Sequence, residues 1–151
     1  MLVLLLAIHI LAAVFWVGGM AFAHTMLRPA VGPLEPPVRL GLWRRVLGRF
    51  LPWVGISIIV LLVSGYGMVL AYFGGFARLP LYINLMQGIG IIMMLLYLHL
   101  FFAPWKRFKA AFEAGELPVA AKNLDQVRMI VTINLVLGIV TLLIGSTGRY
   151  W

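Results

Sequence analysis

The sequence has no cysteine and very few acidic residues. Among its 151 residues there is no Cys, and Asp and Glu together number 4. Without Cys, neither a disulfide framework nor thiolate ligation of a metal ion is available. The acidic residues all lie between the apolar segments described below: Glu35, Glu113, Glu116 and Asp125. We therefore do not expect acid–base chemistry by paired carboxylates, or a carboxylate proton path, inside those segments.

Charge of either sign is also scarce. Charged residues make up 11% of the chain and hydrophobic residues 64%, whereas about a quarter of the residues in a soluble domain are charged. This composition predicts a polytopic membrane protein. A net charge of +8 would suggest nucleic acid as the partner of a soluble protein. Here the basic residues fall between apolar blocks, which instead indicates membrane topology and anionic lipid.

Four apolar blocks are long enough to cross a bilayer, for which about 20 residues are needed. They cover about residues 2–26, 51–74, 81–102 and 129–148. The first block is uncharged and longer than the apolar core of roughly 7–15 residues of a signal peptide, so we assign it as the first span. The sequence thus predicts an all-α, four-helix membrane bundle, with residues 1–151 forming a single transmembrane domain.

The basic residues predict the orientation of this bundle. Residues 27–50 and 103–128 each contain five Lys and Arg, whereas the connection 75–80 and the C-terminus contain one each. The positive-inside rule then places both long loops in the cytoplasm and both termini outside. Both loops mix basic and apolar residues as interfacial helices do, so we expect them to bind anionic lipid.

A faint internal repeat relates the first and third spans. At an offset of 75 residues His24 aligns with His99, and Pro29 aligns with Pro104. This alignment suggests a duplicated helical hairpin. Both spans run from outside to inside, so the two histidines are expected at one depth. Alternate helices of an up-and-down bundle face each other diagonally across the core.

All three histidines lie inside predicted spans, where an ionisable residue is a functional hypothesis by default. His9 and His24 are separated by about 22 Å along one helix, too far to share a metal ion at a bond length of about 2 Å. His24 and His99 are the feasible pair. Gly18 and Gly19 would leave room beside the first span for a flat macrocycle.

Three hypotheses follow from these residues. Haem b would take two axial imidazoles from facing helices, in membrane electron transfer or haem handling; any enzyme activity would be that of a haem-dependent membrane oxidoreductase. Copper would combine imidazole with a soft thioether, for which Met20 lies four residues before His24. In a structural or assembly subunit, the histidines would only hydrogen-bond to groups such as Ser57, Ser64, Thr132 or Asn134. A redox partner or a second copy of the chain remains open as a partner.

Several short motifs carry a resemblance to a known family. They are His9 with Trp16-Val17-Gly18-Gly19, the Arg28-Pro29 exit, LYINLMQG at 81–88, His99-x4-Pro104 and a terminal GRYW. Together they resemble the small copper resistance protein D family of bacterial inner-membrane proteins. The resemblance covers nearly the whole chain and implies a role in copper uptake or tolerance.

A more distant similarity is to the small membrane-bound protoporphyrinogen oxidase of bacterial haem synthesis. In that family a first-helix histidine ligates haem b, with Trp at +7 and Gly at +10, as in His9, Trp16 and Gly19. The resemblance implies His9 as a haem ligand. Asn84 stands where that family has a third-helix lysine, which argues against the oxidase reaction. A second site around His9 would lie in the outer half, near Asn84 and Gln87.

Overall fold

The computed structural model describes residues 1–151, except for the side chain of Arg78. Four helical segments are long and apolar enough to cross a membrane, and the described residues contain no strand. The prediction of an all-α, polytopic membrane bundle is therefore confirmed. The elements in chain order are α1 (Leu2–Phe22), a π-helical segment (Ala23–Leu27), α2 (Arg28–Ala30), α3 (Pro36–Tyr72), a 3₁₀ turn (Phe76–Arg78), α4 (Leu81–Phe102), α5 (Pro104–Glu113), α6 (Leu117–Thr147) and a 3₁₀ turn (Gly148–Tyr150).

Proline and glycine mark the boundaries of these helices. Proline occupies the first turn of α3, α5 and α6, where its missing N–H would have no partner within the helix in any case. Gly74 and Gly75 follow α3 with positive φ, and Gly115 does the same between α5 and α6. Glycine adopts this left-handed backbone without steric cost, so the chain reverses direction at these positions.

The long helices form two hairpins that pack side by side. Helix α1 packs along α3, α4 packs along α6, and α6 also contacts α1. Gly138 allows a close approach in the centre, because a Cβ there would lie 2.7 Å from Cγ2 of Val17 and 3.2 Å from Cε of Met93. Three helices therefore meet at Gly138, as small residues permit in membrane bundles.

The diagonal helices α1 and α4 meet through aromatic rings. Trp16 and Tyr97 lie edge to face, with ring centroids 6.5 Å apart. The Tyr97 hydroxyl donates to the Leu51 carbonyl oxygen at 2.9 Å. A Cβ at Gly55 would lie 2.9 Å from this hydroxyl, so the glycine makes room for the bond. Asn134 of α6 also donates to the Met93 carbonyl oxygen of α4 at 3.2 Å, so packing and two buried hydrogen bonds hold the centre of the bundle.

The basic segments are folded more extensively than we expected. Helix α3 has 37 residues and is about 55 Å long, whereas the hydrocarbon core is about 30 Å thick. Its first part (36–50), α5 and the first part of α6 (117–128) form a helical layer at one end of the bundle, which we call the basic layer. Its interior is apolar and buried, with contributions from all three helices: Leu40, Trp43, Leu47, Trp105, Phe108, Ala111, Ala120, Leu124 and Val127.

This basic layer differs from the expected pair of interfacial helices. Its apolar side chains bury against one another, and the ion pair between Arg44 and Glu113 joins α3 to α5. Arg107 donates to Asn123 at 3.1 Å and to Gln126 at 3.0 Å, which links α5 to α6. An amphipathic pattern shows that a helix has an apolar face, but that face can be buried against either lipid or protein. The sequence therefore predicted the helices without predicting what covers them.

Candidate functional site

His9 is anchored to the neighbouring helix through one ring nitrogen. Its Nδ1 lies 2.9 Å from Oγ of Ser64 on α3, and this oxygen lies 2.6 Å from the Val60 carbonyl oxygen. A carbonyl oxygen only accepts, so the single hydroxyl proton of Ser64 is directed to Val60. His9 must then donate through Nδ1–H, which leaves a lone pair on Nε2. The expected hydroxyl partner Ser64 is confirmed.

Small residues on α3 make room for this imidazole. A Cβ at Gly65 would lie 3.2 Å from Cε1 of His9, so the ring packs edge-on against the helix backbone. Two residues further along α3, a Cβ at Gly67 would lie 3.7 Å from the Leu5 side chain. His9 itself is half-buried. Its orientation is therefore fixed by α3 on one side, while part of the ring stays accessible.

His24 repeats the same hydrogen-bonding arrangement at the other end of α1. Its Nδ1 lies 3.2 Å from Oγ1 of Thr132 on α6, and Thr132 donates to the Arg128 carbonyl oxygen at 2.9 Å. By the same reasoning His24 donates through Nδ1 and keeps its lone pair on Nε2. His24 lies in the π-helical segment Ala23–Leu27. Such π-turns occur frequently at functional sites.

The surroundings of His24 are positively charged. It lines a narrow, partly open pocket with about 20 Å³ of enclosed space, together with Arg28, Trp43 and Arg128. Two guanidinium groups beside the imidazole oppose the binding of a metal cation by simple electrostatics. The pocket therefore suits an anion better than a copper ion.

His99 lies away from both other histidines. Its side chain is exposed on α4, while Tyr97 and Leu100 on either side of it are buried. At 100° per residue, position 99 falls about 200° from position 97 around the helix, so His99 projects outward. Helices α1 and α4 meet through Trp16 and Tyr97 instead. The structure thus does not bring His24 and His99 together.

The described residues do not fit a haem b held by His24 and His99. The space between α1 and α4 is filled by buried side chains of the core, including Trp16, Met20, Met93, Tyr97 and Leu100. Gly19 does not leave an empty slot, because the Phe50 ring occupies the space beside it. Gly18 is on the exposed side of α1, with nothing within 4 Å of a Cβ built there. A macrocycle would have to displace this core.

The remaining candidate residues are dispersed. Met20 is buried in the core, whereas His99 is exposed, so the expected copper set of His24, His99 and Met20 is not assembled. Asn84 is exposed and donates to the Leu79 carbonyl oxygen at 3.2 Å, and Gln87 is half-buried. Across the described part of the chain, no three or more His, Asp or Glu side chains are grouped closely enough to hold a metal ion.

Sequence reasoning missed the pocket at His24. Its signal was present in the spacing, because Arg28 lies four residues after His24 and Arg128 lies four residues before Thr132. In a helix, residues four apart share a face. Arg28 therefore lies on the same face as His24, and Arg128 lies on the same face as Thr132. Trp43 carried no such signal, since only the folding of the basic layer places it there.

Comparison with known proteins gives one match. The model of a protein family described as copper resistance protein D matches residues 44–147, which is more than half of the chain. The matched region includes Ser64, His99 and Thr132 but begins after His9 and His24. Neither a curated protein nor a solved structure matches the chain.

Proposed function

The chain belongs to the copper resistance protein D family, and from this premise we propose that it is a multi-pass membrane protein that handles copper. Copper is the cargo in this proposal. The observation that carries it is the geometry of His9, whose Nδ1 is fixed by Ser64 at 2.9 Å while Nε2 keeps its lone pair. A neutral imidazole with a free lone pair on Nε2 can ligate a metal ion.

The chemistry around His9 suits monovalent copper. Imidazole and thioether are ligands that Cu(I) accepts readily. Ser64 acts on the imidazole as outer-shell partners commonly do, by fixing the tautomer and the ring orientation. Half-buried Met68 lies one helical turn beyond Ser64 on the same face of α3, where it offers a thioether. We propose His9 and Met68 as two ligands of a transient copper site.

His9 is a better candidate than the other histidines. His24 shares its pocket with Arg28 and Arg128, and the two positive charges disfavour a cation. His99 is exposed on α4 and has no described side-chain partner to orient its ring. His9 alone combines an oriented ring with surroundings that hold no basic side chain among its described contacts.

The orientation proposed for the protein gives His9 a place on a copper route. With the basic segments in the cytoplasm of a bacterium, as the positive-inside rule indicates, both termini face the periplasm and His9 lies in the outer half of the inner membrane. Copper arriving from the periplasm would therefore meet His9 before any other histidine on α1. The change in cell-associated copper, measured as described next, gives the direction in which copper crosses the membrane.

Cells that produce the protein test this proposal. We expect the wild type to change both copper tolerance and cell-associated copper relative to cells that lack it. His9→Ala should abolish both effects, because the proposed first ligand is removed. His99→Ala is the matched control and should behave as the wild type at equal protein level in the membrane. Full activity of His9→Ala would refute the assignment, and the sign of the change in cellular copper gives the direction.

Haem b was the leading hypothesis from sequence, and the structure offers no observation in its favour. Trp16 and Gly19, which suggested a haem-binding pattern with His9, pack against Tyr97 and Phe50. We accordingly expect no haem absorption band in the purified protein. A strong band that is lost in His9→Ala would favour haem b over copper as the ligand of His9.

A further inference from the structure

Two residues that line the pocket beside His24 carry buried hydrogen-bond donors that have no acceptor. Nε1 of Trp43 and Nε of Arg128 are both buried without a partner, and both residues line the pocket. Trp43 is 3% exposed. A buried N–H without an acceptor costs free energy comparable to a lost hydrogen bond, so such groups in native proteins usually have a partner. Two of them in one pocket indicate a missing acceptor.

The charge around the pocket specifies the sign of that acceptor. Arg28 and Arg128 line it, and Arg39 lies near enough for its charge, like that of Arg28, to act on Arg128. The carboxylate that pairs with Arg128 is Asp125, at 3.1 Å, and it is itself largely exposed. Three guanidinium groups against one exposed carboxylate leave a positive excess. An anion would relieve the repulsion among them.

The shape of the pocket limits what enters it. Its cavity volume of about 20 Å³ holds one water molecule, for which roughly 10–15 Å³ is required. The Arg128 guanidinium carbon lies 5.1 Å from the centroid of the Trp43 ring, so the two side chains pack against each other. A single oxygen of an oxyanion therefore fits inside, while its remaining oxygens stay at the mouth with Arg28.

We propose that this pocket binds a phosphate group. One phosphate oxygen accepts hydrogen bonds from Trp43 Nε1 and Arg128 Nε, and the others pair with Arg28. Arg recognises phosphate by charge-assisted hydrogen bonds. The pocket lies where the apolar segments meet the basic layer, a level at which lipid phosphates are found, but free phosphate has the same chemistry. This site is independent of the proposed copper function, because it does not involve His9.

Thermal unfolding of the whole protein in lipid nanodiscs tests the site. A ligand that binds only the folded state raises the melting temperature. Nanodiscs of phosphatidylcholine alone, of phosphatidylcholine with phosphatidylglycerol, and of phosphatidylcholine with inorganic phosphate in the buffer separate the two sources. A shift with phosphatidylglycerol identifies a lipid phosphate, and a shift with inorganic phosphate identifies the free ion. No shift with either probe would overturn the proposal.

Matched variants distinguish phosphate binding in this pocket from the general attraction of anions to the basic layer. Arg28→Gln removes an exposed cation that lines the pocket, and Arg49→Gln removes an exposed cation of α3 that does not. Trp43→Phe removes only the indole N–H and part of the ring, with Trp53→Phe as its control. We expect Arg28→Gln and Trp43→Phe to lose most of the shift, and both controls to keep it. Equal shifts in Arg28→Gln and Arg49→Gln would overturn the proposal, even if Trp43→Phe fails to fold.

Discussion

Phe108 gives the most direct test of the basic layer. Its side chain is 0% exposed, at the centre of the contacts among α3, α5 and α6, whereas Phe102 six residues earlier is 59% exposed on α4. Removing a buried Phe side chain costs the lost transfer free energy together with the free energy of the cavity left behind, about 3–5 kcal/mol in protein cores. Phe108→Ala should therefore lower the free energy of unfolding by about this amount.

The assay is denaturant-induced unfolding of the purified protein in detergent micelles, followed by circular dichroism. Phe102→Ala is the matched control and should change the free energy of unfolding by less than about 1 kcal/mol, as exposed substitutions do. If α5 instead rested on lipid with its apolar face in the membrane, the two variants would lose similar amounts of stability. Equal effects of Phe108→Ala and Phe102→Ala would therefore refute the packed layer.

Three further predictions concern the bundle. Tyr97→Phe should reduce the free energy of unfolding by about 0.6 kcal/mol in the same denaturation assay, and by no more than about 1.7 kcal/mol, the average and the maximum for hydrogen bonds between membrane helices. No change would show that its bond to Leu51 does not contribute. Gly138→Leu should destabilise by at least about 1–3 kcal/mol through overpacking against Val17, while Gly90→Ala, with nothing within 4 Å of its Cβ position, should be near neutral. For topology, Ala110→Cys should resist an impermeant thiol reagent in intact cells and Ala77→Cys should react; the opposite result would invert the orientation.

The sequence predicted the four long apolar helices well because hydropathy and length determine them. The span boundaries on the opposite side from the basic layer agree with the helices to within a few residues. The predicted loops, however, are mainly helical continuations of the spans, since α3 starts at Pro36 and α6 at Leu117. Hydropathy drops at the membrane surface while helical hydrogen bonding continues, so a boundary of the apolar block is not a boundary of the helix.

The candidate site was predicted only in part, for a physical reason. Of the four polar residues named as possible histidine partners, Ser64 and Thr132 contact a histidine, because hydroxyl groups within a span form hydrogen bonds with neighbouring helices. Ser57 and Asn134 instead donate to backbone carbonyl oxygens. The pairing of His24 with His99 rested on equal depth alone. Depth fixes the position of a residue along a helix but not its direction around it, and the buried residues Tyr97 and Leu100 turn His99 outward.

The central claim is that His9 binds copper, and the affinity of the purified protein for Cu(I) tests it most directly. Competition with a chromophoric Cu(I) chelator should give measurable binding by the wild type, with affinity reduced about 10- to 100-fold in Ser64→Ala, where an outer-shell partner of the imidazole is lost. His9→Ala should bind more weakly still, and His99→Ala should bind as the wild type. Wild-type affinity in His9→Ala, or loss of binding in His99→Ala alone, would contradict the account.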